Sequence, residues 1–152
     1  MEFHELFRAA TGHPPFSYQA SLAREFPDVL NVPPGSGKTA AAVLGWLWRR
    51  RFAPSEAVRR ATPRRLVYCL PMRVLVEQTF GNIRQWFENL GLSEQVGVHL
   101  LMGGEADEDW VRWPERDAVL VGTMDMLLSR ALNRGYALSR FRWPIDFGLL
   151  NS

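Results

Sequence analysis

Seven consecutive residues combine glycine, lysine and threonine in an order suited to phosphate: Pro33-Pro34-Gly35-Ser36-Gly37-Lys38-Thr39. Gly35 and Gly37 let backbone N–H groups turn toward phosphate oxygens, and a helix that begins near Lys38 points its positive end at the anion. The lysine ammonium then reaches the β- and γ-phosphates, while the Thr39 hydroxyl binds Mg²⁺. The segment therefore predicts a P-loop.

Lysine usage points to the same position. The sequence contains 18 lysine and arginine residues, of which Lys38 is the only lysine. Arginine presents a planar fork, whereas lysine presents a compact point charge that fits between phosphates. A chain that otherwise uses arginine keeps lysine where a P-loop needs it, and a chance glycine-rich turn would not explain that choice.

The bulk composition suits one compact globular domain. The chain has 152 residues, of which 47% are hydrophobic and 22% charged, and a formal net charge of +2. This charge excludes a protein that coats nucleic acid by its overall field alone. The single cysteine, Cys69, lies in an apolar run and predicts a buried, reduced thiol. The stretch from Ala40 to Trp48 is too short to span a bilayer, so we expect a cytoplasmic protein with no membrane partner.

Short apolar runs alternate with longer amphipathic ones, which is typical of βαβ units and a parallel sheet. The predicted strands cover residues 28–32, 65–70, 95–101 and 117–121. The predicted helices cover residues 38–51, 74–90 and 124–133, and residues 52–64 read as a connector. The sequence therefore predicts an α/β fold with a mainly parallel sheet flanked by helices.

The P-loop departs from the strict Gly-x-x-x-x-Gly-Lys-[Ser/Thr] form because Val32 stands at its first position. In this form it resembles motif I of superfamily-two helicases, where proline and a second glycine are usual. In those helicases an upstream glutamine reads the adenine edge with its amide, a role that falls here to Gln19. The resemblance implies ATP and Mg²⁺ as cofactors, with Lys38 and Thr39 as catalytic groups and Thr39 as the Mg²⁺ ligand. The implied ATP-binding residues are Gln19, Pro34, Gly35, Ser36, Gly37, Lys38 and Thr39.

Three downstream motifs each follow a predicted strand. They are Leu70-Pro71-Met72-Arg73, which resembles helicase motif Ia, Gly103-Gly104, and Gly122-Thr123-Met124-Asp125, which resembles motif Ib. Each offers donors at the carboxyl end of a strand, the edge where ligands of open α/β sheets gather. Singly, each is compatible with an ordinary strand–helix junction, but their order favours nucleic-acid binding. The residues implied are Arg73, Gly103, Gly104 and Thr123.

Residues 65–79, 101–105 and 122–132 resemble the CRISPR-associated helicase–nuclease Cas-three of type I systems, in particular the variant of subtype I-G (formerly I-U). The resemblance covers nearly the whole chain. It implies the first RecA-like domain of an ATP-driven translocase on single-stranded DNA, recruited in antiviral defence by a guide-RNA surveillance complex. The predicted fold is thus an incomplete RecA-like P-loop domain over residues 1–152.

The sequence lacks one element of that family. The family continues with a strand that carries the Walker B acids, and no Asp-Glu pair in this sequence follows a suitable strand. Because ATP hydrolysis needs such an acid to hold Mg²⁺ and align water, we expect a fragment that ends before the Walker B strand and is inactive alone. Three functions stay open: the ATP-binding part of a DNA helicase, a catalytically inactive module that binds nucleotide or DNA, and another P-loop enzyme such as a small kinase.

Overall fold

The computed structural model describes residues 1–102, 105–106, 109–134 and 140–151. The chain forms two compact units. The first, here called the P-loop unit, comprises Met1–Pro63 and Gln85–Leu92. The second, here called the sheet unit, comprises Arg64–Arg84 and Ser93–Ser152.

The P-loop unit is built from helices. They are α1 (Phe3–Thr11), α2 (Ser17–Arg24), α3 (Lys38–Arg51), α4 (Glu56–Ala61) and the last residues of α5 (Arg73–Asn89). Helix α3 is central, and Val43, Leu44 and Leu47 on it are fully buried. Gly45 lets α2 approach closely, since a Cβ at this position would lie 3.1 Å from Leu22 Cδ2. Every residue of α3 is buried or half-buried, which agrees with the apolar character of its sequence.

The bounds of α3 agree with the prediction residue for residue. Gly37 precedes the helix with a φ of 81°, a left-handed conformation that glycine adopts at little cost. Arginines 49–51 form its last turn, where positive charge interacts favourably with the helix dipole. The predicted connector after it contains a short helix, α4, whose N-cap Ser55 accepts a hydrogen bond from the Val58 N–H at 3.4 Å.

The sheet unit contains four strands: β1 (Arg65–Leu70), β2 (Val96–Met102), β3 (Glu105–Ala106) and β4 (Asp117–Thr123). Their order is β1-β4-β2-β3. The pairs β1–β4 and β2–β4 are parallel, whereas β2–β3 is antiparallel. The unit's helices are the first part of α5, α6 (Asp109–Arg112), α7 (Met124–Ala131) and α8 (Trp143–Leu150). The predicted α/β fold with a mainly parallel, helix-flanked sheet is confirmed, and it is consistent with part of a RecA-like domain.

Strand β4 lies at the centre of the sheet. Val119, Leu120 and Val121 are fully buried, as expected for a parallel strand whose two faces are both covered. One core cluster forms where β4 meets β2, α6 and α7; it comprises Leu101, Trp110, Ala118, Leu120, Met126 and Leu127. The residues that follow β4 therefore continue directly from a strand that is buried in the core.

Two predictions about strands are wrong. Residues 28–32 form no strand, because a strand needs a hydrogen-bonded neighbour and this segment pairs with none of the described residues. Cys69 is exposed rather than buried. It lies on β1, at one edge of the sheet. The side chains of Val67 and Cys69 lie on the same face of this strand, and the described residues leave that face open.

No helix within the described ranges is both long enough and apolar enough to cross a membrane.

Candidate functional site

The P-loop turns back on itself through two glycines in the left-handed region. Gly35 has a φ of 76° and Gly37 a φ of 81°. Residues with a Cβ rarely adopt these angles, so the loop needs glycine at both positions. A Cβ added at Gly35 would meet no atom within 4 Å, whereas one at Gly37 would lie 2.8 Å from Gln19 Nε2. The loop is therefore open at Gly35 and closely packed against α2 at Gly37.

The Lys38 ammonium lies over this loop. Its Nζ donates hydrogen bonds to the carbonyl oxygens of Val32, at 3.0 Å, and Pro33, at 2.9 Å. The Ser36 hydroxyl donates to the same Pro33 oxygen at 2.7 Å. Lys38 and Thr39 open α3 and are both half-buried. The cation is thus held at the amino end of the helix by neutral acceptors that an anion can replace.

Gln19 connects α2 to the P-loop. Its side chain is 2% exposed. Its Oε1 accepts a hydrogen bond from the Phe16 N–H at 2.8 Å, and its Nε2 donates to the Gly37 oxygen at 3.1 Å. The structure thus brings Gln19 to the P-loop, as the sequence led us to expect, with its amide engaged by backbone groups on both sides.

Tyr18 is a further residue at the loop, and sequence reasoning missed it. Its hydroxyl donates a hydrogen bond to the Ser36 oxygen at 2.5 Å. The only sequence signal was its position beside Gln19, which does not tell a loop contact from ordinary aromatic packing.

The groups around the loop fit a nucleoside triphosphate with Mg²⁺. A primary ammonium, a threonine hydroxyl at a helix start and backbone N–H groups in a glycine-rich turn form the donor set that phosphate and a hard cation require. The open space at Gly35 leaves room for an anion at the loop. In the part of the chain that the structure describes, no three His, Cys, Asp or Glu side chains come together as metal ligands.

The sheet unit holds the second group of predicted residues. Leu70 of β1 pairs with Thr123 of β4, so the segments that follow both strands emerge side by side. They line a cavity of about 690 Å³ that includes Pro71, Arg73, Thr123, Asp125 and Ser129. Arg73 and Thr123 are therefore brought together, as predicted. Gly103 and Gly104 lie outside the described residues.

This cavity carries charges of both signs. Arg73 contributes a guanidinium and Asp125 a carboxylate. Partial burial, and secondarily the charge of Asp125, raise the pKa of the Cys69 thiol, which therefore stays neutral at physiological pH. Such a lining suits a ligand that has both anionic and hydrogen-bond-donating groups, as a nucleotide strand has.

Comparison with known protein families gives a match over most of the chain. Residues 19–145 match the family described as "DEAD/DEAH box helicase". The matched region includes Gln19, Lys38, Arg73 and Thr123. No matching relative was found among curated proteins.

Proposed function

This chain belongs to the DEAD/DEAH box helicase family, and from that membership we propose that it is the ATP-binding part of an ATP-dependent DNA helicase. Membership of this family indicates an ATP-dependent nucleic-acid helicase. It argues against the alternative of a small kinase. The observation that carries the proposal is the P-loop geometry. Its two left-handed glycines lie beside an ammonium that donates hydrogen bonds to carbonyl oxygens of its own loop.

Each residue of the loop has a proposed role. Lys38 binds the phosphates, exchanging the Val32 and Pro33 carbonyls for charged oxygens that form stronger hydrogen bonds. Thr39 is the proposed protein ligand of Mg²⁺, which when bound neutralises charge on the phosphates. Backbone N–H groups of residues 35–37 complete the anion site.

Gln19 is the proposed base-reading residue. Its Oε1 and Nε2 each make one hydrogen bond within the protein. A carboxamide oxygen accepts two hydrogen bonds and the nitrogen donates two, so one acceptor and one donor position remain for adenine.

The cavity at the ends of β1 and β4 is the proposed nucleic-acid contact. Arg73 is exposed, carries the positive charge that a phosphate needs, and lies with the Thr123 hydroxyl in one cavity. We assign it to single-stranded DNA through the resemblance of residues 65–79 and 122–132 to Cas-three. The guide-RNA surveillance complex and the antiviral role depend on the same resemblance and stay predictions. The contacts from Gly103 and Gly104, based on the order of the helicase-like motifs, and the cytoplasmic location, based on composition and the short apolar stretch, also stay predictions.

A second candidate function is nucleotide and DNA binding without turnover by these 152 residues. The one Asp-Glu pair of the sequence, Asp107-Glu108, follows the two-residue strand β3 and not a long apolar strand. Hydrolysis needs an acid that holds Mg²⁺ and aligns water. We therefore expect the isolated chain to bind ATP and to show negligible ATPase activity with or without single-stranded DNA. Robust DNA-stimulated turnover by the purified chain would contradict this expectation.

The P-loop assignment is tested by ATP affinity. Lys38→Ala should weaken ATP binding roughly 10- to 150-fold, because hydrogen bonds to charged groups contribute about 1.5–3 kcal/mol. Arg60→Ala is the matched control, since it also removes one cation from the P-loop unit but from an exposed pair with Glu56 at 2.6 Å. Equal ATP affinities for Lys38→Ala and Arg60→Ala, measured by calorimetry, would refute the assignment.

A further inference from the structure

Two consecutive residues of α2 hold two consecutive carbonyl groups of the P-loop. The Tyr18 hydroxyl donates to the Ser36 oxygen at 2.5 Å. The Gln19 amide donates to the Gly37 oxygen at 3.1 Å. Both carbonyls are therefore directed toward the same helix.

Peptide planarity makes this arrangement relevant to phosphate. In a trans peptide the C=O and N–H of one unit point in opposite directions. The bond from Tyr18 to the Ser36 oxygen therefore turns the Gly37 N–H away from α2. The Gly37 oxygen also accepts the first backbone bond of α3, from the Ala41 N–H at 3.0 Å, so the Lys38 N–H points outward beyond the helix start. Two adjacent backbone donors are thus aimed at the side of the loop where an anion would bind.

Tyr18 is itself held in place. Its ring stacks on that of Phe16, with centroids 6.4 Å apart and planes 14° from parallel. The Phe16 N–H is capped by Gln19 Oε1 at 2.8 Å, which fixes the first turn of α2. The side chain is half-buried. The hydroxyl therefore acts from a fixed point, and it does not need to contact the nucleotide to affect it.

We propose that Tyr18 is a positioning residue of the phosphate site: its hydroxyl fixes the Ser36–Gly37 peptide so that the Gly37 N–H is directed at the phosphates. This inference rests on the proposed function of the P-loop and adds a residue to it. Gln19 performs the same task one peptide further on, at Gly37–Lys38. The Tyr18 hydroxyl is therefore expected to affect the binding of phosphate and not the binding of the adenosine part.

The test removes only the hydroxyl. Tyr18→Phe keeps the ring and its stacking on Phe16, and the affinities for ATP, inorganic tripolyphosphate and adenosine are then measured. We expect roughly fivefold weaker binding of ATP and of tripolyphosphate, the effect of one lost neutral hydrogen bond, with adenosine affinity unchanged. Ser21→Ala is the control, because it removes a hydroxyl on the same helix that donates a hydrogen bond to the Ser17 oxygen within α2, at 3.1 Å. It should change none of the three affinities.

A second readout reports orientation directly. In ¹⁵N-labelled protein the Gly37 amide resonance should shift on addition of tripolyphosphate, and this shift should shrink in Tyr18→Phe but not in Ser21→Ala. Unchanged tripolyphosphate affinity in Tyr18→Phe would overturn the proposal. So would an equal loss of ATP and adenosine affinity, which would place Tyr18 at the base or in general stability.

The Lys38→Ala variant distinguishes a failure of the proposed role of Tyr18 from a failure of the P-loop assignment on which it rests. If Lys38→Ala abolishes tripolyphosphate binding while Tyr18→Phe leaves it intact, the P-loop assignment stands and the role of Tyr18 is wrong. If Lys38→Ala has no effect on tripolyphosphate, the proposed function fails and the role of Tyr18 fails with it.

Discussion

Gln19 Nε2 lies 3.1 Å from the Gly37 carbonyl oxygen, and a methyl group added to Gly37 would lie 2.8 Å from the same nitrogen. The hydrogen bond and the missing side chain are therefore two aspects of one contact. Only a residue without a Cβ lets α2 approach the loop closely enough for this amide to hold it.

Gly37→Ala should impair nucleotide binding more than Gly35→Ala. Both residues have left-handed φ angles, of 81° and 76°, so both substitutions strain the backbone by about 1–2 kcal/mol. Only Gly37→Ala also displaces the Gln19 amide, since Gly35 has no atom within 4 Å of its added Cβ. Calorimetric ATP affinities of the two variants measure the difference. Equal losses would show that backbone strain alone accounts for the need for glycine.

Gly122→Ala should destabilise the sheet unit. An added Cβ would lie 2.5 Å from the Leu101 carbonyl oxygen of β2 and 3.1 Å from Leu127 Cγ, where backbone and core leave little space. We expect a loss of about 1–3 kcal/mol in the free energy of unfolding, measured by urea denaturation.

Gly81→Ala is the matched control for that experiment. Gly81 lies within α5, and its added Cβ would meet nothing within 4 Å. Alanine there should stabilise the protein by about 0.5–1 kcal/mol, because it lowers the entropy lost on forming a helix. The same substitution thus has opposite expected signs at two glycines, and destabilisation of equal size at both would contradict the packing argument for Gly122.

Arg73→Ala should weaken single-stranded DNA binding and reduce its salt dependence. If Arg73 contacts one phosphate, the slope of log K against log salt should become shallower by roughly 0.7, the value for one single-strand contact. Arg84→Ala removes an equal charge from the same helix, at a residue whose guanidinium stacks over Phe80 at 5.7 Å. Fluorescence anisotropy at several salt concentrations measures both slopes. A slope for Arg73→Ala that matches the unsubstituted chain would exclude a phosphate contact.

The Cys69 thiol should react slowly for an exposed cysteine. Partial burial and then the Asp125 charge raise its pKa, so the thiolate fraction at pH 8 is below that of a free cysteine. Asp125→Asn removes the second cause but not the first, so the pKa should fall while staying above its ordinary value. Alkylation rates followed from pH 7 to 10 should therefore shift to lower pH in Asp125→Asn. An unshifted profile would show that Asp125 has no effect on the thiol.

The bounds of a helix or strand could be predicted where they depend on residues that are neighbours in the sequence. Helix α3 follows a glycine in the left-handed region and ends in arginines, and β1 is followed directly by Pro71, so both bounds are written in nearby residues. The strand predicted at residues 28–32 does not form, because strand formation depends on a partner elsewhere in the chain. The predicted burial of Cys69 was wrong for a similar reason, since its exposure follows from the edge position of β1, which the apolar run itself does not reveal.

The same distinction between local signals and contacts with distant residues applies to the candidate site. The P-loop residues and Gln19 were recognisable by type and spacing, and Arg73 and Thr123 by their places after strands. Tyr18 and the packing need for Gly122 were not, because each depends on a carbonyl oxygen of a distant residue, Ser36 or Leu101. Backbone acceptors leave no mark in a sequence, so contacts to them emerge only from the structure.

The solitary lysine has a practical consequence. Lys38 is the only lysine among these 152 residues, so its ε-amine is the single side-chain amine that they contain. An acylating dye applied after the more acidic α-amine has been blocked at neutral pH would therefore label one place, the phosphate loop. The protein thus carries a built-in single-site reporter, and protection of that amine by added ligands would register occupancy without any engineered tag.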